Sequence, residues 1–231
     1  MSPTKTLGPA VLEARGLTVR YGDTVAVDAV DLAIEPGSRT AVMGPSGSGK
    51  SSLVHALAGI VRPDAGEVWF EDERLDLLGE AARSRRRLAR MGMVFQFGDL
   101  VPELTLVENV MLPLQVLGHK ARPARERALT VLDALGVADL ADRRTGAVSG
   151  GQAQRAAVAR ALVHHPSVVL ADEPTGALDS LTAERVLDTM VEVTRQMGAA
   201  LVVVTHDHVV ASHLDDLVVV RDGRVGVGAP A

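Results

Sequence analysis

Apolar and polar residues alternate from Val11 to Tyr21 and again from Val25 to Ile34, with the turn Gly22-Asp23 between them. A period of two predicts two strands. Pro36-Gly37 marks a turn before the short apolar strand Thr40 to Met43, a glycine-rich loop follows, and Ser51 to Ala58 reads as a helix stopped by Gly59. Glu67 to Phe70 and Met93 to Phe95 are two more short strands. From about Phe97 to Leu162 the spacing turns helical, with Leu106 to Leu117 and Ala124 to Leu135 ending at Gly118 and Gly136. After Pro166 come strand Val168 to Ala171, helix Thr182 to Met197, strand Ala200 to Val204 and a last strand, Leu217 to Val220, turning at Asp222-Gly223. Strands alternating with helices predict an α/β fold with a mainly parallel, doubly wound sheet, interrupted by a helical insertion.

With 231 residues, 47% hydrophobic and 23% charged, the chain suffices for one sizeable core, with or without a subdomain, and is too apolar for a disordered one. A net charge of -5 argues against a general nucleic-acid binder, which needs a basic surface. Cysteine is absent, so disulfides, thiolate metal sites and cysteine nucleophiles are excluded. No apolar run approaches the ~18 residues of a membrane span, and Met1 to Pro9 lacks the apolar stretch of a signal peptide. A soluble cytoplasmic protein is the expectation. A mean hydropathy of +0.17 is high for one and points to a docking surface beside the core. Of 24 basic residues 21 are Arg, so the lysines at 5, 50 and 120 stand out.

Lys50 closes Gly44-Pro45-Ser46-Gly47-Ser48-Gly49-Lys50-Ser51, a G-x-x-x-x-G-K-[ST] loop between a predicted strand and a predicted helix. Such glycines let successive backbone N–H groups curl around a phosphate, and the helix N-terminus adds positive charge. The lysine supplies a point charge where an arginine would bring a planar fork. The bland alternative is a glycine turn capping a helix. Downstream, Val168 to Ala171 delivers Asp172 and Glu173 to the C-terminal edge of the sheet, where ligands of open α/β folds bind. Asp172 is positioned to share a Mg2+ ion with Ser51, and Glu173 to polarise a water attacking a γ-phosphate. Loop and carboxylates together point to nucleoside-triphosphate hydrolysis.

Between them stands Val148-Ser149-Gly150-Gly151-Gln152. Here the chain resembles the ATP-binding cassette (ABC) ATPases of the transporter type, whose signature Leu-Ser-Gly-Gly-Gln it matches except for Val148. The resemblance covers about residues 11 to 225. It implies a P-loop NTPase core with an antiparallel β subdomain (about 1–96 and 163–231) and an inserted α-helical subdomain (about 97–162), in one domain. It implies ATP and Mg2+, with residues 44 to 51 and Ser52 around the phosphates. Ser149, Gly150, Gly151 and Gln152 would address the γ-phosphate held by a second copy, so that two chains sandwich two ATP molecules head to tail. Tyr21 stands where the family stacks an aromatic on adenine, and Gln96 matches the Q-loop glutamine that contacts Mg2+ or water. Asp179 matches the D-loop aspartate, although Gly176 replaces the usual serine, and His206 matches the switch histidine on the γ-phosphate.

Zinc on His206, His208 and His213 is the weaker reading, because His206 already has a task. His164 and His165 read as structural, at the end of a helix. Arg83, Arg85, Arg86, Arg87 and Arg90 read as a solvated basic face, with a lipid contact as the alternative. The stretch from Phe95 to Val110 is similar to ATPases of the lipoprotein-release, macrolide-export and antimicrobial-peptide-export group, with Phe97, Leu100 and Val101 as candidates for a groove receiving a permease's coupling helix. A separate transmembrane permease is implied, with the ATPase on the cytoplasmic face of the membrane and soluble when isolated. An ATPase regulating a cell-division or cell-wall complex is the alternative. Chromosome- and ribosome-type members carry a coiled coil or a second cassette, and this chain has neither.

Overall fold

The run Arg39 to Met43 that leads into the glycine loop is an inner strand of a six-stranded sheet in the computed structural model, which describes residues 10–96, 99–176 and 178–227. Along the chain come β1 (Leu12–Tyr21), β2 (Thr24–Ile34), β3 (Arg39–Met43), α1 (Lys50–Leu57), β4 (Ala65–Phe70), β5 (Glu73–Arg74), α2 (Glu80–Arg90) and β6 (Met91–Val94). Then follow α3 (Leu106–Val116), α4 (Ala121–Ala134), α5 (Gly150–Leu162), β7 (Val168–Asp172), α6 (Ser180–Met197), β8 (Ala200–Val204), α7 (His208–Ser212), β9 (Asp216–Arg221) and β10 (Arg224–Val227). One sheet has the order β2-β1-β4-β5 and is antiparallel; the other runs β10-β9-β3-β8-β7-β6 and is parallel except for the β9–β10 hairpin. This is the mixed architecture that the strand and helix pattern predicts.

All of β8 is buried, as a central parallel strand covered on both faces must be. Its alternate side chains serve two cores. Val202 and Val204 join Leu170, Val42, α1 and the antiparallel sheet, with Leu12, Leu17, Ile34 and Phe70. Leu201 and Val203 join Val169 and a cluster built from the helices, including Leu106, Leu114, Leu132, Leu162 and Leu187. The helical stretch is thus packed onto the sheet through α5.

The structure refines several expectations. β6 ends at Val94, leaving Phe95 in the loop, and β5, α7 and β10 are too short to announce themselves. The arginines of α2 form a solvated face only in part, with Arg85 and Arg90 exposed. Arg83 is buried and pairs with Glu80; Arg86 and Arg90 each reach Glu71 at 2.8 Å; Arg87 donates to the Ala58 and Gly59 carbonyls after α1. Arg86 also lies over the Phe70 ring, 5.5 Å from its centre, its stem covering apolar surface. His164 and His165 lie beyond α5. Burial pushes His164 below its ordinary value, so the neutral ring donates from Nε2 to the Met91 carbonyl at 3.0 Å. Among the described residues no helix is long and apolar enough to cross a membrane.

Candidate functional site

The glycine loop leaves β3 at Gly44 and enters α1 at Lys50. Gly44 has φ +156°, and a Cβ there would strike the Val220 carbonyl of β9; Gly49 has φ +102°, and its Cβ would strike the Ala26 carbonyl of β2. Only glycine fits either position. Behind the loop, the Gly223 N–H donates to the Ser48 carbonyl at 3.0 Å, and Asp28 N–H donates to the Gly223 carbonyl at 2.8 Å. The Lys50 ammonium donates to the Gly44 and Pro45 carbonyls, both at 2.8 Å, and is held inside the curl. No side chain caps the start of α1, so its first N–H groups have no intrahelical or capping partner and suit an anion.

Two parallel strands bring the other half. β7 ends at Asp172, opposite Val204 of β8. Glu173 then turns with φ +49°, a left-handed conformation uncommon for glutamate, and its N–H donates to the Val204 carbonyl at 3.0 Å. Its Oε1 lies 2.7 Å from His206 Nδ1. The hydrogen bond and the charge of Glu173 raise His206 above its ordinary value, so the ring N–H donates to a carboxylate.

These groups face one cavity of about 790 Å³, within the range of small-molecule sites. Its wall includes Gly44, Pro45, Ser46, Gly47, Gly49, Lys50, Ser51, Ser52, Gln96, Asp172, Glu173 and His206. Ser48 is buried behind the loop and does not line it. Thr24, Val25, Ala26, Asp222 and Gly223 do, and the sequence reading missed them. Asp222-Gly223 is legible as a turn, but nothing local says that it folds back onto a loop so far away in sequence. Tyr21 ends β1 half-exposed and is outside the wall, although its neighbours from Thr24 onward are in it.

The signature residues lie elsewhere. Ser149 caps α5, accepting from the Gln152 N–H at 3.3 Å while its own N–H donates to Gln152 Oε1 at 2.8 Å; Gly150 and Gly151 form the first turn. Asp179 caps α6 by accepting from Thr182 N–H at 3.0 Å, and that bonding keeps its carboxyl below the usual range. Neither N-terminus lines the cavity. His213 pairs with Asp188 at 3.0 Å.

A second cavity, of about 360 Å³, is lined by Leu88, Met91, Met93, Phe95 and Pro113 with Arg87, Arg160 and His164. Leu100 packs instead against the helical cluster, Val101 is exposed, and Phe97 lies outside the described residues, as does Ala177 beside Asp179. Among the described residues, neither Leu100 nor Val101 lines this cavity.

Comparison with known proteins adds independent findings. Residues 27–176 match the family described as ABC transporter. The chain is 43% identical over 196 residues to the lipoprotein-releasing system ATP-binding protein LolD of Legionella pneumophila (strain Lens), covering 85% of this chain and 86% of that protein. It is 41% identical over 226 residues to LolD of Xanthomonas oryzae pv. oryzae (strain MAFF 311018), covering 96% and 93%. Among solved structures, the dimeric MJ0796, a bacterial ABC transporter cassette, superposes with a TM-score of 0.88 at 35% identity, covering 93% of this chain and 96% of that one. A dimeric post-hydrolysis state of the same cassette, bound to ADP and Pi, gives 0.87.

Proposed function

This chain belongs to the ABC transporter family, and from that premise we propose that it is the ATP-hydrolysing motor of a lipoprotein-releasing complex, driving a separate permease from the cytoplasmic face of the membrane. It is an ATPase; the cargo is inferred from relatives named for lipoprotein release at 40–44% identity. The observation that carries the catalytic assignment is the single cavity joining the phosphate loop to Asp172, Glu173 and His206.

In this reading the loop N–H groups and Lys50 hold the β- and γ-phosphates. Ser51, Gln96 and Asp172 line one cavity and offer hydroxyl, amide and carboxylate oxygens, the hard donors that suit Mg2+, which when bound would neutralise phosphate charge. Glu173 takes a proton from water as the water oxygen bonds to the γ-phosphorus. The bond to the bridging oxygen breaks, and its electron pair leaves with ADP. His206 occupies Glu173 Oε1 in this structure, and turning the ring to the γ-phosphate would free that oxygen to act as base. Ser149, Gly150, Gly151 and Gln152, on an exposed helix N-terminus, complete the site of a second copy head to tail, and Asp179 borders the interface. Tyr21, half-exposed beside the strand that lines the wall, is the candidate adenine platform. We take about 97–162 as the helical subdomain. The cavity of Met91, Met93 and Phe95 at its border with the sheet is the candidate groove for the permease's coupling helix.

Light scattering on Glu173→Gln tests this reading. Dimer only with Mg-ATP, and hydrolysis lowered by about 10²–10⁴-fold, are expected. Lys50→Ala should bind no nucleotide and stay monomeric. Normal turnover by Glu173→Gln would overturn the catalytic assignment.

A further inference from the structure

We propose that Gln154 is a positioning residue for hydrolysis: it fastens the helix that begins at Ser149 to the backbone beside Gln96 and Glu173, two residues of the ATP cavity. It lies within α5 and is 3% exposed. Its Nε2 donates to the Pro174 carbonyl at 2.9 Å and to the Phe95 carbonyl at 3.3 Å. Pro174 follows Glu173, and Phe95 precedes Gln96. Both carbonyls lie just past the ends of β7 and β6, where pairing between the two strands stops at Val94 and Ala171. One amide group therefore replaces the ladder at the point where two of the cavity's functional side chains emerge.

The need for such a fastening comes from Glu173. Its left-handed backbone, φ +49°, persists only if the flanking peptides are held. On one side its own N–H is bonded to Val204. On the other its own carbonyl accepts from the Gly176 N–H at 3.1 Å, and Gln154 holds the carbonyl one residue further on, that of Pro174. Resting on the trans role proposed for Ser149, the same side chain makes a rigid link from the turn that would meet the partner's nucleotide to the carboxylate that acts on this chain's own. A shift of α5 moves Glu173 and Gln96 together.

Steady-state hydrolysis by full-length Gln154→Met tests this, because methionine keeps length and apolar packing but donates nothing. We expect kcat to fall about tenfold, the effect of one misplaced catalytic group held by a lost hydrogen bond, with KM for ATP within about twofold. Gln154→Glu supplies a second readout. Burial raises the introduced carboxyl, which donates only when protonated, so its kcat relative to wild type should climb as pH falls. Unchanged kcat in Gln154→Met, or a deficit in Gln154→Glu that is independent of pH, overturns the proposal. Normal turnover by Glu173→Gln in the same assay overturns the reading beneath it instead.

Discussion

Glu173 and His206 constrain each other, and the constraint has a sign. His206 is raised by its bond to Glu173, yet its side chain is 73% exposed, so water screens the pair and its contribution to stability is slight. What it governs is availability. Below the free-histidine value the pair is fully formed; as pH rises through the raised value the ring loses its proton and the grip on Glu173 weakens. Nuclear magnetic resonance titration of the imidazole should place His206 above a free histidine, and Glu173→Gln should lower it. A His206 that titrates at or below the free value in the wild type would show that the contact is not ionic. Glu173 was legible in the sequence as the end of an apolar strand, and His206 through the family resemblance. Their mutual bond was not, because it depends on a left-handed turn at Glu173 that no local pattern announces.

At the level of elements, α5 begins with a cap that serves two ends. Ser149 and Gln152 close a capping box, so truncating Ser149 costs the helix about 1 kcal/mol. If the same hydroxyl also meets the partner's γ-phosphate, Ser149→Ala should lose far more in assembly than in folding. Denaturant melts of Ser149→Ala should shift by about 1 kcal/mol, while the ATP-dependent dimer, scored in the Glu173→Gln background, disappears. Retention of that dimer would reduce Ser149 to a cap. Helix α2 teaches the opposite lesson about reading elements. Its arginine run looks solvated in sequence because the acid that gathers Arg86 and Arg90, Glu71, lies 15 and 19 residues upstream. Glu71 also accepts from Ser167 at 2.8 Å, so α2 is fastened to the segment entering β7. Burial alone would raise its carboxyl, but Arg90 and Ser167 hold it below the usual range.

Across the whole molecule, the alternation of strands and helices was enough for the α/β class, and the G-x-x-x-x-G-K-[ST] pattern for the part of the candidate site carried by consecutive residues. The order of the strands, the antiparallel hairpin at the edge and the Asp222-Gly223 part of the wall come from pairings between distant segments, which composition and spacing do not encode. That distance has a temporal meaning. The Val220 carbonyl packs against Gly44 and the Ser48 carbonyl accepts from the Gly223 N–H, so the back of the glycine loop is covered by strands made long after it. A ribosome adding about 5–20 residues per second delivers the loop roughly ten to thirty seconds before its rear wall. Nascent chains stalled at Ser212 should therefore retain no labelled ATP, and chains stalled well past Gly223 should retain it; equal retention by both would mean that the loop forms unaided. If chains stalled at Ser212 retain none, ATP binding begins only once the Gly223 turn is in place, and an unfinished cassette cannot draw on the nucleotide pool.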